Sequence, residues 1–201
     1  MRTALIIFLL LSAGCVQESV YTPQDGDIVF HTSRSSQSRA IQLATGSQYS
    51  HVGIVYLTNG KAYVFEAVQP VKTTPLNDWV QRGEGGHFVA KRLRDSGQLL
   101  TPEALKKMQA AGEKLSGKNY DLYFEWSDER IYCSELVWKI YHRALGLSIG
   151  ELETLGDFDL TSPAVQEKIS ERYGDTPPLG ETVISPASMF NSELLELVHS
   201  E

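Results

Sequence analysis

The chain reads as an α+β domain built on an antiparallel sheet. Three observations predict this. In "YSHVGIVYLTNGKAYVFEAVQ", residues 49–69, two apolar, β-branched and aromatic runs flank Asn59-Gly60, the strongest short hairpin cue. "RIYCSELVWKIYHRAL", residues 130–145, sets Leu136, Val137, Ile140, Tyr141, Ala144 and Leu145 at helical spacing, one apolar face able to cover a sheet. Elsewhere helices gather around a run of strands, without the strict strand–helix alternation of a parallel fold.

The elements follow in order. "MRTALIIFLLLSAGCVQESV" opens with a single arginine, then an apolar run from Ala4 to Leu11, then small residues. Such a stretch is an export signal, too short to span a bilayer. "LSAGC" resembles the lipobox of bacterial lipoproteins, which implies residues 1–14 as a lipoprotein signal peptide and Cys15 as the lipidated first residue of the mature chain. Val16, where aspartate would signal inner-membrane retention, implies the outer membrane by the same resemblance. The expected location is the cell envelope, lipid-anchored and facing the periplasm. Residues 15–24 read as a polar tether and 25–201 as one domain. "GDIVFHTS", 26–33, alternates as a first strand, and 33–46 reads as a helix with hydroxyl residues at its start and Gly46 at its end. "HFVAKRLR", 87–94, is a further strand. "TPEALKKMQAAGEKLSG", 101–117, has threonine at the cap, proline at the first helical position and glycine past the end. The helix starting near Cys133 stops at Gly146. "TSPAVQEKISERYG", 161–174, reads as another helix, and 177–190 as loop and strand.

Composition narrows the function. Hydrophobic residues make up 42 % of the 201-residue chain and charged residues 21 %, a globular balance. The net charge is −7 with no lysine or arginine block, which argues against nucleic-acid binding through phosphates. No glycine-rich phosphate loop is present, so nucleotide use is not expected; no cofactor is expected.

The hairpin register locates two side chains. If Asn59-Gly60 forms a two-residue turn, Thr58 pairs with Lys61, and Gly53 lies opposite Glu66. Side chains alternate faces, so His51, Gly53, Glu66 and Val68 share one face. Glu66 is then the diagonal neighbour of His51, at a backbone spacing of about 7–8 Å that both side chains can bridge. A carboxylate on an imidazole fixes its tautomer and stabilises the imidazolium. Gly53 between them leaves room for a close approach.

Cys133 is one of two cysteines in the chain. If Cys15 carries lipid, Cys133 has no disulfide partner. It sits where a helix begins, and a helix N-terminus carries about half a positive charge. That field favours thiolate over thiol, and a nearby imidazole adds to it. The free N–H groups of the first turn can also stabilise an oxyanion. An inert buried cysteine is the competing reading.

"YSHVGIVY", "VFEAV" and "YCSELVWKIY", in that order, resemble the circularly permuted NlpC-type papain-like hydrolases, specifically the YiiX/YaeF-like proteins. The likeness runs from "QDGDIVF" to "ETVISPASMF" and includes "SRSSQSRAIQLAT" and "PVKTTPLNDWV". It implies an α+β papain-like core, an antiparallel sheet or half-barrel with the catalytic helix packed on it. It implies Cys133 as nucleophile, His51 as base and Glu66 as the residue orienting that base. Amide or peptide cleavage through a thioester follows, on cell-wall peptides, γ-glutamyl or isopeptide bonds. A lipid acyltransferase of the lecithin:retinol acyltransferase-like type and an idle envelope binding module are the alternatives. Tyr49, Tyr120 and Tyr132 lie near the motifs as candidate oxyanion or substrate donors, with packing the blander role for each. His31 and His87 could join His51 and Cys133 around zinc, but paired spacings such as CxxC or HExxH are missing and no metal is expected. His142 and His199 are expected to face solvent, Asp27 to brace the first turn, and Ser134 and Glu135 to cap the helix.

Overall fold

The computed structural model describes residues 21–200. The signal segment, Cys15 and the first part of the tether lie outside the described residues. Six strands form one antiparallel sheet: β1 (Ile28–His31), β2 (His51–Thr58), β3 (Lys61–Glu66), β4 (Lys72–Pro75), β5 (Val89–Leu93) and β6 (Leu195–Ser200). Their spatial order is β6-β5-β1-β2-β3-β4, with antiparallel neighbours throughout and no closed barrel. The main helices are α1 (Ser36–Thr45), α2 (Leu76–Arg82), α3 (Pro102–Glu113), α4 (Cys133–Leu145), α5 (Pro163–Tyr173) and α6 (Pro186–Phe190).

Local chemistry sets these boundaries. Asn59 (φ 51°) and Gly60 (φ 74°) both occupy the left-handed region, as a two-residue hairpin turn with matching twist requires. Thr58 pairs with Lys61 and Ile54 with Phe65, the register expected from the turn. The hydroxyls of Ser35, Thr101 and Ser162 accept from backbone N–H groups in the first turns of α1, α3 and α5. Gly46 and Gly146 close α1 and α4 in the left-handed conformation.

Each sheet face has its own apolar layer. On one, Ile28, Phe30, Val52, Ile54 and Phe65 pack against Leu136, Val137, Ile140 and Tyr141 of α4. On the other, Val29, Val55 and Val64 pack against Leu76 and Trp79 of α2. Asp27, fully buried, braces the start of β1. It accepts from the Tyr21 hydroxyl, the Gln24 N–H and the Arg92 guanidinium. Residues 21–24 of the expected tether are thereby held against the domain.

Several elements differ from expectation. Residues 186–190 form α6, not a strand, because the Ser185 hydroxyl caps the Ser188 N–H and Pro186 takes the first helical position. The strand there is confined to Thr182–Val183. α3 stops at Glu113, short of Gly117. His199 is not solvent-facing: its ring stacks on Tyr21 and packs against Phe88. Ser134 does not cap α4; its hydroxyl donates to the Ile184 carbonyl at 2.6 Å and ties the helix to the segment just before α6. Glu135 does cap, accepting the Tyr132 N–H.

Candidate active site

α4 delivers Cys133 as its first residue, 2 % exposed, with the thiol 4.0 Å from the Ser50 carbonyl at the start of β2. Burial raises the thiol pKa. His51 and the backbone N–H groups of Val52 and Ser134 outweigh that and hold it below the ordinary value.

His51 belongs to the sheet face that α2 covers, since it alternates with Val52 and shares its side with Val55. The helix bearing Cys133 covers the opposite face. The two side chains meet at the end of β2, where the strand no longer separates them. His51 Nε2 lies 2.7 Å from Glu66 Oε2, which leaves Nδ1 for the thiol. Burial lowers the imidazole pKa, but hydrogen bonds and charge from Cys133 and Glu66 more than reverse this and push it to about 9.

Glu66 is fully buried and its second oxygen is also engaged. Oε1 accepts from the Thr74 hydroxyl at 2.6 Å and from the Arg82 guanidinium. Burial raises the carboxyl, but His51, Thr74 and Arg82 together hold it down at about 2, so it stays ionised. A Cβ on Gly53 would come within 2.4 Å of Val64 Cγ1 and 3.4 Å of Glu66 Cβ, so only glycine lets β3 lie this close. His31 pairs with His51 across β1 and β2 and stacks on Trp79 at 4.1 Å between centroids. Burial, and then repulsion from His51 and Arg82, hold His31 down to about 2, so it is neutral.

Of the three tyrosines, Tyr120 reaches the thiol, and its hydroxyl interacts with Cys133. Gln37 Nε2 donates to that hydroxyl at 3.2 Å, and Arg172 donates to Gln37 Oε1 at 3.0 Å. Because arginine can only donate, Arg172 fixes which end of the Gln37 amide faces Tyr120. With its oxygen accepting from Gln37, the phenol keeps its proton for the sulfur side. Burial and the neighbouring sulfur hold the phenol well above its usual pKa, so it remains a donor. Tyr49 packs its ring against Phe30 and Phe190. The Tyr132 hydroxyl accepts the Ile184 N–H at 3.1 Å. His87 lines a separate cleft with Glu84 and Phe88, and His142 is exposed and stacked on Trp138.

Two recesses meet at this site. An apolar cavity of about 90 Å³ runs between α1 and α5 and has Cys133 in its wall. A second cleft is lined by His51, Ser38, Ser50, Tyr120 and the arginines Arg34 and Arg82, with Ala67 and Val68 among its apolar walls. Thr74, Arg82, Gln37 and Arg172 were not legible in the sequence. The "TTPLNDWV" stretch that holds Thr74 matched the family pattern but carried no catalytic signature of its own.

Comparison with known proteins agrees with this architecture. Over all 201 residues the chain is 48 % identical to the uncharacterized protein YiiX of Escherichia coli K12, covering 97 % of that protein. The crystal structure of metalloprotein yiiX from Escherichia coli O157:H7 superposes with a TM-score of 0.85 at 51 % identity. The match covers 90 % of this chain and 99 % of that one. Residues 22–199 match the family described as permuted papain-like amidase enzymes, YaeF/YiiX, C92 family. With helix-borne cysteine, strand-borne histidine and sheet in that permuted order, the chain belongs to the YaeF/YiiX family of permuted papain-like amidases.

Proposed function

We propose that the protein is an exported thiol hydrolase that cleaves an amide or peptide bond through Cys133, His51 and Glu66. The observation that carries this reading is a buried imidazole that is hydrogen-bonded to a carboxylate and interacts with a thiol at a helix N-terminus. The thiol proton rests on His51, and the thiolate attacks the substrate carbonyl carbon. A C–S bond forms and the carbonyl oxygen becomes an oxyanion, which the Cys133 N–H and the Tyr120 hydroxyl stabilise. The oxyanion collapses, the C–N bond breaks, and His51 gives its proton to the leaving amine. Water, deprotonated by His51, then attacks the thioester; the C–S bond breaks, the carboxylic acid leaves and the thiolate–imidazolium pair is restored. Glu66 keeps the ring oriented throughout and stabilises the imidazolium whenever His51 carries the second proton. The proposed setting is the outer membrane, through a lipid on Cys15, with cell-wall-derived peptides or amides as substrates.

The relative from Escherichia coli O157:H7 is described as a metalloprotein. The residues of this chain do not fit a bound metal. Among the described residues no group of three or more His, Cys, Asp or Glu side chains could hold an ion. His51 is taken by Glu66 and Cys133. His31 Nδ1 is buried without a hydrogen-bond partner, but His51 and Arg82 repel positive charge there. No step of the mechanism runs through a metal.

Alkylation by iodoacetamide tests the ion pair. A free thiol, with a pKa of about 8.5, reacts roughly tenfold faster per pH unit up to that value. Cys133 should instead show a shallower rise between pH 6 and 8, because His51 and the backbone N–H groups at the helix start hold its thiol below the ordinary value. The shape of the profile is independent of how readily the reagent enters. A tenfold rise per unit, as in a free thiol, would refute the activated pair. Tyr120→Phe should lower kcat by about 10²–10³-fold with KM nearly unchanged, as loss of an oxyanion donor does. Steady-state kinetics check this, and an equal loss through KM alone would remove Tyr120 from the oxyanion site.

A further inference from the structure

We infer that the apolar cavity seats the acyl group of the substrate and the arginine-lined cleft receives the leaving group. The bond cut would then join an apolar acyl group to an amine that carries an anion. This rests on the hydrolase reading and adds the direction in which the substrate lies.

The direction follows from which recess touches which catalytic group. Cys133 lines the apolar cavity and not the cleft; His51 lines the cleft and not the cavity. The acyl group stays on sulfur, while the amine departs with the imidazole's proton and so on the imidazole's side. Gln37 and Ile41 of α1 face both recesses, which makes that helix the partition between them.

The chemistry of each wall suits one part of the substrate. Ala40, Ala44, Leu155, Phe158, Val165 and Ile169 line the cavity. The two cations at its edge are turned to other partners, Lys168 to Glu171 and Arg172 to Gln37. A volume of about 90 Å³ is roughly three-fifths of an engineered apolar cavity that takes up benzene. It admits a chain of a few carbons or a branched aliphatic side chain. In the cleft, Glu66 offsets the charge of Arg82, but Arg34 donates only to the Gly83 carbonyl and forms no ion pair among the described residues. In a chain of net charge −7, an uncompensated guanidinium at the mouth of the site favours an anion.

The test uses purified protein with 4-nitrophenyl acetate, butyrate and laurate, following kcat/KM and the mass of the acyl-enzyme. Each buried methylene should raise kcat/KM about fourfold, so butyrate should exceed acetate by roughly 15-fold. Ala44→Phe should erase that ratio, and Ile169→Ala should move the optimum to a longer chain. Equal rates on acetate and butyrate, or a butyrate preference that survives Ala44→Phe, would overturn the acyl assignment. A fall at laurate identifies the acyl donor as an apolar amino-acid residue; a further rise identifies a fatty acyl chain. For the other recess, N-butyrylglycine should be cleaved about tenfold faster than its glycinamide analogue, and Arg34→Ala should remove the difference. An amide cleaved equally well would overturn the leaving-group half. No acyl-enzyme on Cys133 with any ester would instead sink the underlying hydrolase reading.

Discussion

Cys133→Ala should reduce turnover by about 10⁶-fold while the protein stays folded, because a nucleophile acting within a unit costs nearly the whole covalent pathway when removed. Alanine can neither form the thioester nor hold a proton for His51. The structural cost is small. The side chain loses one sulfur atom at the first residue of α4, where the helix cap is made by Glu135 and Tyr132 and not by the thiol. Stability should fall by no more than about 2 kcal/mol, the range of a modest core change. Steady-state hydrolysis with a thermal melt alongside separates the two effects. Wild-type turnover by a folded Cys133→Ala protein would leave only an idle module with a hydrolase-like core. Cys133→Ser makes the comparison sharper, since it restores a nucleophilic atom without the low pKa; it should recover little.

Legibility in the sequence followed the range of the interaction. The hairpin was readable because Asn59-Gly60 accepts positive φ at both positions, and a two-residue turn admits one register. That register put His51 and Glu66 within reach before any tertiary contact was considered. The caps at Thr101 and Gly146 were readable for the same local reason. Relations between distant segments were not. Nothing in "YCSELVWKIY" tells that α4 covers the sheet face opposite His51, so that the thiol and imidazole meet round a strand end. Thr74 and Arg82 reach Glu66 from β4 and α2, short and polar segments without a periodic signal. Arg172 and Gln37 come from α5 and α1, and only the packing of those helices makes a hydrogen-bonded pair of them. The apolar cavity is built from ordinary aliphatic and aromatic side chains in several separate stretches, each of which reads alone as core.

His51→Ala should be nearly as damaging as loss of the thiol, about 10⁴–10⁶-fold in kcat. It removes the base, and it also removes the largest of the influences that oppose burial at Cys133. The thiol should then titrate upward, and the alkylation profile should steepen toward that of a free thiol. Glu66→Gln is the more informative change. Three donors, His51 Nε2–H, Thr74 and Arg82, converge on the two oxygens of one buried carboxylate. A glutamine offers one oxygen, so its amide NH₂ must face a donor on the other side. That leaves a buried mismatch worth about 1–3 kcal/mol, and a melting temperature lower by several degrees. Loss of the carboxylate charge also withdraws part of what raises His51 to about 9. The raised imidazole is protonated below that value and loses its proton as pH rises through it, so the alkaline limb of kcat marks its titration. In Glu66→Gln that limb should move to lower pH, and the rate at neutral pH should fall by about 10²–10³-fold, less than for His51→Ala. A pH–rate profile of the variant superimposing on the wild type would show that the carboxylate braces the sheet and plays no part in holding the imidazolium, and Glu66 would leave the proposed triad.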